Sequence, residues 1–144
     1  MKVSTKTQYG IRAVIELAQR YRNGPLQLRI IAERQGISFK YLEQLMSILK
    51  TSGLIKSIRG AKGGYVLARP PSQIKMDDVF HCLEGQVVTL ECVENAGSCI
   101  RSADCVARGL WTEVEQAVDH VLDSMSLQDL VDKASVPGKQ DYDI

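Results

Sequence analysis

The sequence predicts a mainly α fold of the α+β class, and three observations predict it. Apolar residues recur at helical spacing through residues 5–50, with Gly36 between two short helical runs. Two short runs of period-two alternation then flank the glycine-rich loop Gly60-Ala61-Lys62-Gly63-Gly64. Farther on, an apolar stripe continues through residues 106–123, long for a chain of 144 residues.

Taken in order, Tyr9, Ala13, Val14, Leu17, Ala18 and Tyr21 share one face, so residues 5–22 read as a helix with Ser4 or Thr5 at its start. Asn23-Gly24-Pro25 ends it, since Gly and Pro break the hydrogen-bond ladder and set a turn. A short second helix over 27–35 turns Leu28, Ile31 and Ala32 inward. Gly36 stops it, Ile37 packs in the turn, and Ser38 N-caps a third helix running to about residue 50. Phe39, Leu42, Leu45, Met46 and Leu49 form the apolar stripe of that helix, and Lys40, Glu43, Gln44, Ser47 and Thr51 its polar face. Two helices joined by a tight Gly-bearing turn make a helix-turn-helix, whose second polar face enters a major groove. Residues 54–59 and 65–68 add a hairpin with a basic tip, so the whole reads as a winged helix-turn-helix.

Pro70-Pro71 marks a boundary between a DNA-binding region, 1–70, and a second region, 71–134, with a polar tail over 135–144. A fourth helix covers 76–83, with Asp77 and Asp78 in its first turn, where carboxylates suit the helix dipole. Gly85 ends it, and residues 86–91 read as either extended or irregular. The long helix over 106–123 carries Val106, Leu110, Val114, Ala117, Val118, Val121 and Met125 down one side. At 1.5 Å per residue it spans roughly 27 Å. So long a helix has little core to pack on here, which makes it a dimerisation helix mated with a second copy. Ser126 then caps a last short helix ending at residue 134.

The formal net charge of +1 hides a split. Residues 1–70 hold 13 Lys and Arg against three Asp and Glu, net +10, and residues 71–144 hold five against 14, net −9. That asymmetry fits a nucleic-acid-binding first half. No apolar run approaches the roughly 18 residues of a membrane span, and the N-terminus lacks a secretory h-region. The expectation is a cytoplasmic protein with reduced thiols and no membrane partner.

Three of the four cysteines, Cys92, Cys99 and Cys105, lie in one short stretch whose spacing, C-x6-C-x5-C, is not that of a zinc ribbon. Asn95, Gly97, Ser98, Ser102 and Asp104 let the backbone bend so that three sulfurs can converge, and Cys105 begins the long helix, where the dipole favours a thiolate. A three-thiolate set favours an iron–sulfur cluster over structural zinc, with unrelated reduced cysteines as the plainer reading. Cys82 reads as a small apolar residue, and His81 and His120 as ordinary helix residues. The GAKGGY segment lacks the phosphate-loop Lys-Ser/Thr and does not precede a helix, which excludes a nucleotide loop. No catalytic set stands out, and a cysteine nucleophile with His81 or His120 as base has no support, so the chain does not read as an enzyme. The candidate DNA contacts are Ser38, Lys40, Tyr41, Glu43 and Gln44 on the third helix, and Arg59, Lys62 and Gly63 on the hairpin. Glu43 repels phosphate but can accept from a cytosine amino group, so it can sort operators at some cost in affinity.

The segments TKTQYGIRAVIELA, IAERQGISFKYLEQLMSILKTSGLIKSIRGAKGGYVLARP and the cysteine stretch followed by GLW resemble the Rrf-type winged-helix regulators over residues 1–134. Within that family the chain is most similar to the iron–sulfur regulator branch, IscR, with the nitric-oxide-sensing NsrR and cysteine-metabolism CymR branches as relatives. The resemblance implies a homodimeric transcription factor binding a pseudo-palindromic double-stranded DNA operator. It implies Cys92, Cys99 and Cys105 as ligands of a [2Fe–2S] cluster, or of [4Fe–4S] in an NsrR-like role, and Glu43 as the acidic operator-discriminating residue. CymR-like members lack the three-cysteine loop. One position departs: where IscR-like proteins carry a ligand histidine, this chain has Arg108, whose guanidinium cannot ligate iron. The fourth ligand stays open among Gln8, Glu91, Glu94, Asp104 and solvent. The expected function is a regulator that senses iron–sulfur status and controls cluster-biogenesis genes. The alternatives are a CymR-like repressor of sulfur metabolism or an NsrR-like nitric-oxide-sensing repressor.

Overall fold

Ser4 opens the first helix, α1 (Thr5–Gln19): its Oγ accepts the Thr7 backbone N–H at 3.2 Å, replacing an acceptor that a helix start lacks. The contacts are those of a computed structural model, which describes residues 2–85 and 105–134. α1 stops short of the expected residue 22 because the chain turns at once, and Arg22 takes a left-handed φ of 71° that no helix continues through.

α2 (Leu28–Gln35) and α3 (Phe39–Thr51) form the helix-turn-helix. Gly36, at φ 65°, supplies the left-handed step, and Ile37 N–H then closes on Ala32 O at 3.1 Å. Ser38 caps α3 as expected, accepting from Tyr41 N–H at 3.1 Å. Phe39, expected in the apolar stripe, is 52% exposed instead. It occupies the first position of α3, beyond the edge of the core that Leu42, Leu45, Met46 and Leu49 fill.

The wing is β1 (Ile55–Ile58) paired antiparallel with β2 (Gly64–Leu67), Ile55 opposite Leu67 and Ile58 opposite Gly64. A bridge that the sequence did not announce ties it down: Leu26 N–H donates to Tyr65 O at 3.0 Å and Tyr65 N–H to Leu26 O at 2.9 Å. The connection between α1 and α2 is thus tied to β2 by this single isolated bridge. After a short 3-10 turn (Pro71–Gln73) come α4 (Met76–Glu84), α5 (Val106–Ser124) and α6 (Leu127–Ala134). Ser126 and Asp129 cap α6 reciprocally: Ser126 N–H donates to Asp129 Oδ2 at 2.9 Å, and Asp129 N–H to Ser126 Oγ at 3.2 Å.

One core runs through all of this. Ala13, Val14, Leu17, Ile31, Leu42, Leu45, Met46 and Leu49 meet Ile74, Met76, Val79, Leu83 and Leu127, so the chain beyond Pro70-Pro71 completes the core that the helix-turn-helix begins. α5 is the exception. None of its residues is buried, and Val106 (89% exposed), Leu110, Trp111 and Val121 stand open to solvent. No helix among the described residues is long and apolar enough to cross a membrane.

Glu84 holds the start of α1 to the end of α4. Its Oε2 accepts from Ser4 N–H at 3.1 Å, from Ser4 Oγ at 2.8 Å and from Thr7 Oγ1. The Thr7 and Ser4 hydrogen bonds, with Lys6 adding attraction, hold the carboxyl below its usual value of 4.5. A carboxylate shifted this way stabilises the fold at neutral pH, and loses that contribution as pH falls from about 4.5 through its own lower pKa. Glu84→Gln is therefore expected to cost about 1 kcal/mol at pH 7, allowing for solvent screening, and to flatten stability against pH below 4.5. Urea unfolding from pH 7 to 3 checks this. Leu127→Ala should cost about 2–5 kcal/mol in the same assay.

Candidate nucleic-acid interface and cysteine site

The periodicity of α3 divides its side chains. Leu42, Leu45, Met46 and Leu49 are buried, which leaves Lys40, Glu43, Gln44, Ser47 and Thr51 exposed. Among the described residues, neither Lys40 nor Glu43 has an ion-pair partner, and nor do Arg59 and Lys62 at the exposed tip of the wing. Their charges are available to an incoming ligand. Ser38 lies exposed at the same end of α3, its hydroxyl engaged in the cap. Tyr41 is half-buried: its ring meets Tyr9 edge-on, centroids 6.3 Å apart at 78°, and the Arg12 guanidinium lies 5.6 Å over the Tyr9 ring. Tyr41 therefore braces α3 against α1.

Gly63 is buried inside the wing rather than exposed at its tip. A Cβ there would lie 2.1 Å from Ile58 O and 2.9 Å from Gly60 O, so no other residue fits the turn as it stands. Gly63 shapes the loop that presents Arg59 and Lys62.

Of the cysteine set, Cys105 is described. It is half-buried and occupies the N-cap position of α5, with its carbonyl accepting from Gly109 N–H at 3.3 Å. Cys92 and Cys99 lie outside the described residues, as do Glu91, Glu94 and Asp104 and the stretch 86–91. Gln8, another ligand candidate, is exposed on α1 and donates through Nε2 to Val3 O at 3.3 Å, and its amide oxygen has no hydrogen bond among the described residues. Arg108 sits in the first turn of α5 and is half-buried. Three thiols, with Cys105 at a helix start, suit an iron–sulfur cluster by donor chemistry. Cys82 is half-buried, with Sγ 2.8 Å from Ser52 Oγ.

A grouping missed in the sequence lies where α4 meets α5. His81 Nε2 is 2.9 Å from Asp77 Oδ1 and 3.1 Å from Asp119 Oδ1, and Nδ1 is 2.8 Å from Gly85 O. Burial alone would lower the His81 pKa, but the Gly85 carbonyl, Asp119 and Asp77 together outweigh it and raise the pKa above 6.5. The i, i+4 pair Asp77–His81 was visible in the sequence, whereas Asp119, 38 positions away, was not.

The sequence matches the Rrf2 family, described as iron-dependent transcriptional regulators, over residues 3–133. The regulator CymR of Bacillus subtilis is 44% identical over 130 residues, covering 90% of this chain and 89% of that one. A solved structure of CymR, titled the global cysteine regulator of B. subtilis, has a TM-score of 0.78 at 42% identity, covering 92% of this chain and 98% of that one. A structure of T. potens IscR has a TM-score of 0.76 at 42% identity, covering 93% and 88%.

Because a Cβ at position 63 meets backbone carbonyls rather than side chains, Gly63→Ala is expected to open the wing while leaving the helices intact. The cost should be about 1–3 kcal/mol. Amide exchange of residues 55–67 should then quicken, with no comparable change at the α1 and α3 amides.

Proposed function

This chain belongs to the Rrf2 family of transcriptional regulators, and from that premise we propose that it binds operator DNA as a homodimer and senses iron–sulfur status through Cys92, Cys99 and Cys105. The observation that carries this reading is the three-cysteine stretch that ends in the N-cap of α5, the helix on which Val106, Leu110, Trp111 and Val121 are exposed.

Covering Val106, Leu110, Trp111 and Val121 with the same residues of a second copy removes that exposure and sets two recognition helices on one duplex. Lys40, Gln44, Arg59 and Lys62 would meet phosphates and base edges, with Ser38, Tyr41 and Gly63 holding the segments that present them. Glu43 would select among operators by accepting from cytosine.

Cys92, Cys99 and Cys105 would hold the cluster, [2Fe–2S] by the IscR likeness or [4Fe–4S] by the NsrR one. When bound, it supplies a redox-sensitive, labile link between thiolates. The chain does the rest. Cys105 is fixed to the first turn of α5, and the other end of α5 is tied to the core that carries α3. Restraint of Cys105 thereby bears on how the two recognition helices are set, and differential DNA affinity follows by linkage. The likeness to CymR supports a second reading, in which the same cysteines act as thiol switches on a repressor of cysteine metabolism.

Anaerobic purification with iron and acid-labile sulfide counts separates the two. Cluster sensing predicts iron and sulfide in the wild type, and neither in a Cys92→Ala, Cys99→Ala, Cys105→Ala variant. A colourless wild type that resists reconstitution supports the thiol switch. On DNA, Arg59→Ala should weaken binding to all duplexes and lower the salt slope by about one. Glu43→Ala should mainly change which operators are accepted, as titrations on a mutated operator set would show.

A further inference from the structure

We infer that Asp77, His81 and Asp119 form a binding site for one divalent first-row transition-metal ion, separate from the cysteine set and bridging α4 to α5. The three ligand atoms, Asp77 Oδ1, His81 Nε2 and Asp119 Oδ1, all lie within 4.8 Å of one another. Their 2.9 and 3.1 Å contacts match the edges of a coordination shell, since bonds of about 2.0–2.2 Å put neighbouring ligands roughly 2.8–3.6 Å apart, from octahedral to tetrahedral geometry.

The hydrogen bonding around His81 is that of a metal ligand. Nδ1 donates to the Gly85 carbonyl at 2.8 Å, which fixes the tautomer and turns the Nε2 lone pair toward the two carboxylates. A backbone partner on the second ring nitrogen is the usual support of a ligating histidine. With Nε2 deprotonated, three acceptors face one point, and a metal ion there competes with the proton that the raised His81 pKa favours. A proton on Nε2 is hydrogen-bonded to Asp119 and ion-paired at 2.9 Å with Asp77 Oδ1, which is shielded from solvent and has no well-formed hydrogen bond among the described residues.

The neighbouring charges point the same way. Asp78 has Arg69 at 3.7 Å, and Asp123 has Lys75 at 3.1 Å. Asp77 and Asp119 pair with no Lys or Arg among the described residues. One imidazole and two carboxylates suit Mn2+, Fe2+ or Zn2+ rather than a thiophilic ion.

Manganese(II) is the probe, because it does not compete for thiolates. Chelator-treated full-length protein is titrated with Mn2+, and free Mn2+ is read by electron paramagnetic resonance. The expected result is one ion per chain. Asp119→Asn and His81→Gln should each weaken binding by about tenfold or more, and a Cys92→Ser, Cys99→Ser, Cys105→Ser variant should bind unchanged. In the wild type, Mn2+ should broaden the amide signals of Asp77, His81 and Asp119 before those of the exposed acidic pair Asp129 and Asp132, a readout independent of any variant. No binding, binding that survives in both single variants, binding lost with the cysteines, or broadening centred elsewhere would each overturn the site.

Discussion

Leu127, fully buried, and the two backbone hydrogen bonds beside it hold the end of the long helix to the rest of the molecule. Met76 N–H donates to Met125 O at 2.9 Å, and Leu127 N–H to Ile74 O at 2.8 Å. The chain that leaves the core at α4 is brought back to it there. Without that return, α5 would be held to the other described residues chiefly through α4 and its N-cap residue, by pairs such as His81–Asp119 and Lys75–Asp123. With it, the far end of α5 is part of the same packed unit as Ala13, Val14 and Leu45, the residues that set α1 against α3. Close-packed interiors deform little, so a displacement of α5 carries to its neighbours.

That constraint divides labour between the two halves of the chain. The first 70 residues hold the positive charge and the polar face of α3, and the second half holds most of the acidic residues, three of the four cysteines in one stretch and the exposed apolar residues of α5. The positive charge that would attract phosphate is thus concentrated in one half of the chain. The Glu84 clasp and the His81 grouping lie between them: one joins α4 to α1, the other α4 to α5. Both end at the point where the chain enters the cysteine segment, since Glu84 and Gly85 are its last residues before position 86.

Most of the fold was legible because its signals are local. Ser38 at a helix start, Gly36 in a turn and alternation in the wing each act over a few residues, and the elements they define are those observed. Signals that depend on distant parts of the chain were not. The Leu26–Tyr65 bridge has no run of residues to betray it. Phe39 fits the helical period of the core, yet lies past its edge. Arg22 takes a left-handed φ in addition to Gly24, and nothing in the sequence marks that second position. At the candidate site the exposed face of α3 was readable from periodicity, whereas burial of Gly63 and the turning of Tyr41 toward Tyr9 needed three dimensions. His81 was read as an ordinary helix residue because one of its two carboxylates comes from another helix.

On the proposed reading, the state of the cysteine segment governs the helix-turn-helix through α5. Its most direct test is anaerobic measurement of affinity for one operator, at fixed salt, with the cluster-loaded and cluster-free forms of the same preparation. The two forms should differ in affinity, or in their preference between two operators, and Glu43→Ala should alter that preference. Equal affinity and equal selectivity in both forms would contradict the claim.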